Sequence, residues 1–129
     1  MENKSKIKSF TDLIVWQEGH KLAILIYKET KNFPKEEIYS LTNQMRRAAT
    51  SITSNIAEGF GRRTYKEKVQ FYYQAQGSLT ELKNQILLAH DIGYLSKNRL
   101  FALGEQANIA HRLLQGFIKK SKTFINHKS

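Results

Sequence analysis

At 129 residues the chain has the size of one domain, long enough to bury a core without disulfides or metals. It contains no cysteine, which excludes disulfide staples, thiolate nucleophiles and zinc sites of the Cys type and fits a reducing cytoplasm. The formal net charge of +10 favours polyanions such as RNA, DNA or anionic headgroups, and residues 94–129 carry seven Lys or Arg against one acid.

Residues 1–10 are polar and basic and read as a flexible arm. They lack the apolar stretch of a signal peptide, and no later apolar run is long enough to cross a bilayer. A soluble, cytoplasmic protein with no membrane partner is expected. Residues 11–125 are predicted to be all-α, followed by a short tail over 126–129.

The single proline, Pro34, and the placement of the glycines divide the chain into four helical segments, over about 12–32, 35–58, 65–92 and 97–124. Thr11 is a suitable N-cap for the first, with Phe10 folding onto Val15 as a hydrophobic staple. Leu13, Trp16, His20, Ala23 and Tyr27 recur at alternating steps of three and four and are predicted to face inward. Val15, Leu22, Leu25 and Ile26 widen that stripe beyond the needs of one bundle and predict self-association.

Pro34 suits the opening turn of the second helix, where Glu36 and Glu37 complement the dipole. Its inward stripe reads Ile38, Leu41, Met45, Ala48 or Ala49, Ile52 and Ile56, and Gly59-Phe60-Gly61 ends it with residues free to take left-handed angles. Thr64 and Glu67 form a capping box at the start of the third helix, which turns Val69, Tyr72, Gln76, Leu79, Leu82, Ile86 and Ala89 inward and stops at Gly93. Ser96 caps the fourth, whose stripe of Leu100, Leu103, Ala107, Ala110, Leu114, Phe117, Ser121 and Phe124 keeps a strict three-four alternation. Connections this short make successive helices antiparallel neighbours, giving an up-down-up-down four-helix bundle.

Catalytic chemistry is not legible. A di-iron bundle needs paired Glu-x-x-His motifs, and none occurs; His20, His90, His111 and His127 share no repeated spacing. Gly59-Phe60-Gly61 follows a helix and lacks the Gly-Lys-Ser/Thr ending of a phosphate loop. The hydroxyls of residues 50–54 have no histidine at helical spacing to activate them. Asn55 and Glu58 read as a polar clamp on the turn after the second helix. No catalytic residue, metal or cofactor is expected.

Charge points elsewhere. Arg46-Arg47 and Arg62-Arg63 stand beside aromatic residues such as Phe60 and Tyr65, a mixture that grips phosphate while rings stack on bases. Lys66, Lys68, Arg112, Lys119, Lys120 and Lys122 extend the cationic set, and these ten residues are the candidate nucleic-acid contacts. The competing reading is a scaffold whose charge meets an acidic protein partner.

The segments Phe33-Pro34-Lys35-Glu36-Glu37, Leu41-Thr42-Asn43-Gln44-Met45-Arg46-Arg47-Ala48-Ala49, Ser51-Ile52, Asn55-Ile56-Ala57-Glu58-Gly59 and Gly77-Ser78-Leu79-Thr80-Glu81-Leu82 closely resemble the small bacterial four helix bundle protein family. That family is also called the 23S rRNA intervening-sequence protein family, and the likeness covers about residues 8–125. The family is similar to the accessory protein of diversity-generating retroelements. The resemblance implies a homo-oligomeric barrel, a pentamer, whose basic surface engages nucleic acid and a reverse transcriptase. It supplies no catalytic residue.

Overall fold

The computed structural model describes residues 6–125, so the first part of the basic arm, the 126–129 tail and His127 lie outside the described residues. Four helices carry the fold: α1 (Ile14–Thr30), α2 (Leu41–Phe60), α3 (Tyr65–Asp91) and α4 (Lys97–Lys122), with no strand among the described residues.

The chain enters α1 differently from expectation. Ser9, not Thr11, acts as the cap, and it caps a single 3-10 turn over Phe10–Asp12. Ser9 Oγ accepts from the Thr11 amide at 3.1 Å, while the Asp12 carboxylate accepts from the Lys8 and Ser9 amides at 2.9 and 3.1 Å. Those amide bonds hold the Asp12 carboxyl below its ordinary value. Leu13 is extended, so α1 starts only at Ile14, and Phe10 meets Trp16 edge-on at 5.4 Å rather than Val15.

The buried face of α1 is Val15, Gly19, Leu22, Ala23, Ile26 and Thr30, whereas His20 and Tyr27 are exposed and Trp16 is half-buried. This corrects the predicted stripe. Val15, Leu22 and Ile26, read as surplus, belong to the molecule's own core, and Leu25 packs half-buried against it. The deciding feature is Gly19, where an added Cβ would stand 3.2 Å from Thr53 Cγ2. Its lack of a side chain lets α2 approach on that face.

Between α1 and α2, Pro34 opens a 3-10 turn, Lys35–Glu37, instead of the first turn of α2. Ser40 breaks helical geometry (φ −130°, ψ −102°), which leaves Ile38 and Tyr39 exposed and starts α2 at Leu41. Glu37 joins the pieces: its carboxylate accepts from Ser40 Oγ, the Leu41 amide and, at 2.7 Å, the Tyr94 hydroxyl. Those three donors, Ser40 first, hold its carboxyl below the usual range.

From Leu41 on, the predicted α2 stripe is buried. Gly59 and Phe60 are helical and Gly61 ends α2 at φ −82°, so no left-handed residue terminates it. Thr64 Oγ1 accepts from the Glu67 amide at 3.1 Å, one half of the expected capping box. In α3 the seam passes through Ala75, with Gln76 half-buried beside it. Gly93 takes φ +91°, and Gly93 N–H to His90 O with Tyr94 N–H to Ala89 O closes α3 as a Schellman motif. Ser96 Oγ accepts from the Arg99 amide at 3.2 Å. The α4 stripe is buried from Leu103 to Leu114; Leu100 and Phe117 are half-buried and Phe124 is exposed.

Side-chain contacts run in opposite order along sequential helices. On α3 and α4, Tyr65 meets Phe124 at 5.0 Å and Tyr72 meets Phe117 at 4.7 Å, while Lys83 reaches His111. Between α2 and α3, Gly59 lies against Tyr72 and Ser51 bonds Ser78 at 2.8 Å. Between α1 and α4, Gln106 bonds Glu18 and Arg99 pairs with Glu29. The shared interior is Leu22, Ile26, Met45, Ile52, Ile56, Leu79, Leu82, Leu103 and Leu114, all essentially inaccessible. Each such side chain contributes about 1.5–3 kcal/mol by leaving water.

Candidate nucleic-acid interface

The end of α2, the start of α3 and the end of α4 converge. Phe60, Tyr65, Lys68, Tyr72, Phe117, Lys120 and Phe124 line one groove of about 240 Å³ there. Arg62, Arg63, Lys66 and Lys68 reach this end from the α2–α3 turn and the first turn of α3, and Lys119, Lys120 and Lys122 from the last turn of α4. Three carboxylates, Asp12, Glu58 and Glu67, accompany them. Glu29, Glu36, Glu37 and Asp91 lie toward the other end.

Helix electrostatics accounts for only part of this. Cations in the last turn of α4 offset its dipole, but Lys66 and Lys68 stand at the positive end of α3, where cations are disfavoured. Their placement opposes local helix stability.

Several of these cations are engaged within the fold. Lys68 Nζ donates to the Phe60 carbonyl at 2.6 Å, closing the end of α2, and lies 5.4 and 5.6 Å from the Phe60 and Tyr65 ring centres; burial lowers its pKa. Arg62 pairs with Glu58 at 2.9 Å and covers the Phe71 ring. Lys122 Nζ donates to the Tyr73 hydroxyl at 3.1 Å. Arg63, Lys66, Lys119 and Lys120 are exposed and, among the described residues, their side chains have no ion pair or hydrogen bond.

Arg112, also exposed, lines a groove of about 450 Å³ with Ile7, Ile14, Phe117 and Lys120. Arg46 and Arg47 are elsewhere, about 20 Å back along α2 from Phe60 by helical rise. Arg47 is exposed, but Arg46 donates from Nε to Thr30 Oγ1 at 2.9 Å and stacks 4.6 Å over the Tyr27 ring. It ties α2 to the end of α1. The pair predicted as a clamp works as two separate bonds: Asn55 Nδ2 donates back to the Ser51 carbonyl at 2.9 Å, and Glu58 holds Arg62.

Sequence reasoning missed Tyr73, Gln76 and Gln115, which line a groove of about 260 Å³ with Ile118, Lys119 and Lys122. The spacing Tyr73, Gln76 on one helix and Gln115, Lys119, Lys122 on the next was the available signal, since three and four mark one helical face.

The histidines are scattered. His20 stacks on Trp16 at 4.5 Å, His90 Nδ1 meets the Leu95 carbonyl at 2.9 Å, and His111 Nδ1 faces Lys83 Nζ at 2.6 Å. Among the described residues no three His, Asp or Glu side chains gather into a set that could hold a metal, and no helix is long and apolar enough to cross a membrane.

Residues 11–116 match the family described as the 23S rRNA-intervening sequence protein. The chain belongs to this family. Its helices also resemble a solved structure, that of a protein with unknown function from the S23 ribosomal protein family from Bacteroides thetaiotaomicron. The TM-score is 0.76 and the identity 20%, over 82% of this chain and 96% of that one, a likeness of fold. No curated protein matches the chain. In this member of the intervening-sequence protein family, then, the basic end described above is carried on the fold of the Bacteroides protein.

Proposed function

We propose that the chain is a non-catalytic, cytoplasmic binding protein that takes nucleic acid, RNA or DNA, on the basic end formed by the α2–α3 turn and the last turns of α4. The carrying observation is the set Arg63, Lys66, Lys119 and Lys120, unpaired among the described residues and beside exposed rings, with Lys66 and one further lysine, Lys68, placed against the dipole of α3. Phosphate contacts of this kind position a strand without reading its sequence.

Self-association belongs to the same proposal. The opposed order of helix contacts supports an up-down-up-down bundle, and the family resemblance supports five such bundles closed into a barrel. The apolar face available for this is on α3 and α4, where Leu87 is 56% and Phe101 68% exposed beside a groove of about 460 Å³. A reverse transcriptase is the protein partner that the resemblance supports.

Titration of mixed-sequence RNA and duplex DNA across salt tests the reading. With about four to six phosphates neutralised per subunit, the log-log slope is expected at about −3 to −5. Absence of binding to both at low salt overturns it in favour of an acidic protein partner.

A further inference from the structure

We propose that the groove between Tyr73 of α3 and Lys122 of α4 is a subsite for one unpaired nucleotide, so that the protein prefers single-stranded over duplex nucleic acid. The inference rests on the nucleic-acid reading above and specifies the form of strand that the basic end takes.

The groove combines three chemistries at about 260 Å³, with Gln76, Gln115 and Lys119 completing its rim. That volume lies below the about 300–1,000 Å³ of pockets for drug-sized ligands and suits a group the size of one base. Tyr73 is 43% exposed; Lys122 Nζ donates to its hydroxyl at 3.1 Å and lies 5.8 Å from its ring centre, which holds a part-exposed ring at the groove. An open, held ring is a stacking platform for a base of any identity. Gln76 and Gln115 extend from opposite helices, and among the described residues neither side-chain amide has a hydrogen-bond partner. Each offers a donor and an acceptor to a base edge. Lys119 has no ion pair among the described residues, and it supplies the phosphate contact.

A duplex cannot use this arrangement. Its bases are stacked on one another, and the deep major groove of A-form RNA closes the base edges to side chains. Its phosphates engage through the lysines, and in DNA its major-groove base edges stay reachable, but no base face is free to stack on Tyr73. Single strands of RNA and DNA share the required chemistry, an unstacked base on a phosphate chain.

The test compares short unstructured oligo-U and oligo-dT with a duplex of equal length, by fluorescence anisotropy at low salt, on the wild type, Tyr73→Ala and Tyr73→Phe. The wild type is expected to bind single strands more tightly than duplex. Tyr73→Ala is expected to lose about 5- to 150-fold on single strands, the range of one base stack, with duplex binding unchanged. Tyr73→Phe keeps the ring and is expected to retain the preference. Oligo-dU, which differs from oligo-U only in the sugar, separates ribose from deoxyribose preference, and tighter binding of either supports the subsite. Equal binding of duplex and single strands, or equal weakening of both in Tyr73→Ala, overturns the subsite while leaving the nucleic-acid reading intact. Binding to none of these nucleic acids overturns both.

Discussion

Gly59 of α2 lies so close to the Tyr72 ring of α3 that a methyl group on Gly59 would stand 2.7 Å from Tyr72 Cε1 and 2.9 Å from Phe71 Cβ. Tyr72 is itself buried, and burial pushes its phenol up to about 12. Neither partner has room to move. Gly59→Ala is therefore expected to destabilise the protein by about 1–3 kcal/mol through overpacking. At Gly77, also within α3, nothing lies within 4 Å, and alanine there is expected to stabilise by about 0.5–1 kcal/mol through helix propensity alone. Urea midpoints of the two variants check the pair. A stabilised Gly59→Ala would mean that the α2–α3 contact is looser than described.

At the other end of that turn, Thr64 caps α3 with its hydroxyl on the Glu67 amide. Thr64→Ala is expected to lower stability by about 1 kcal/mol, and Thr64→Ser to lower it far less, because serine presents the same oxygen. An unchanged denaturation midpoint in the alanine variant would show that the helix does not depend on this cap.

Legibility in the sequence differed between helices. In α4 the predicted line Leu103, Ala107, Ala110 and Leu114 is the buried one, and its apolar neighbours Phe101, Ile109 and Leu113 stay wholly or partly exposed. In α1 apolar residues occur nearly all round, and the choice of face depends on tertiary contact with α2. The buried line, Val15, Gly19, Leu22, Ile26 and Thr30, keeps helical spacing too, but its glycine and threonine disguise it as polar. Thr30 is buried because its hydroxyl donates to the Ile26 carbonyl and receives Arg46. The same long-range bond engages Arg46 within the fold. No local pattern encodes a partner sixteen residues away. The basic end was legible as residue types, whereas the groove beside Tyr73 needed the register between α3 and α4.

That register also brings Lys83 and His111 together at 2.6 Å. A lysine ammonium donates to Nδ1 only while the imidazole is neutral, with its proton on Nε2. Burial, and then the charge of Lys83, hold the His111 pKa below its ordinary 6.5. The unfolded chain therefore binds a proton that the folded one resists. Stability from this pair is present above about pH 6.5 and falls as pH drops through the folded value. In His111→Gln the amide oxygen accepts from Lys83 at any pH, and the slope of stability against pH just below 6.5 is expected to flatten. Urea titrations at several pH values compare the two. Identical slopes would show that His111 titrates as it does in the unfolded chain.

Cations that serve the fold and cations that serve binding are separable by mutation. Arg46 bonds Thr30 and stacks on Tyr27, so Arg46→Gln is expected to lower stability and change nucleic-acid affinity little in the folded fraction. Lys119, Lys120 and Lys122 are exposed around buried Ile118 and Ser121, and replacing all three by Gln leaves that interior untouched. The triple variant is expected to keep its midpoint and circular dichroism, to bind every mixed sequence more weakly by a similar factor, and to flatten the salt slope by about 2 to 3, one phosphate per lysine. Equal slopes for wild type and triple variant would move the contact surface away from α4, leaving Arg62, Arg63 and Lys66 on the α2–α3 side to carry it. A triple variant that loses its fold would instead show that the last turn of α4 depends on Lys122 holding Tyr73.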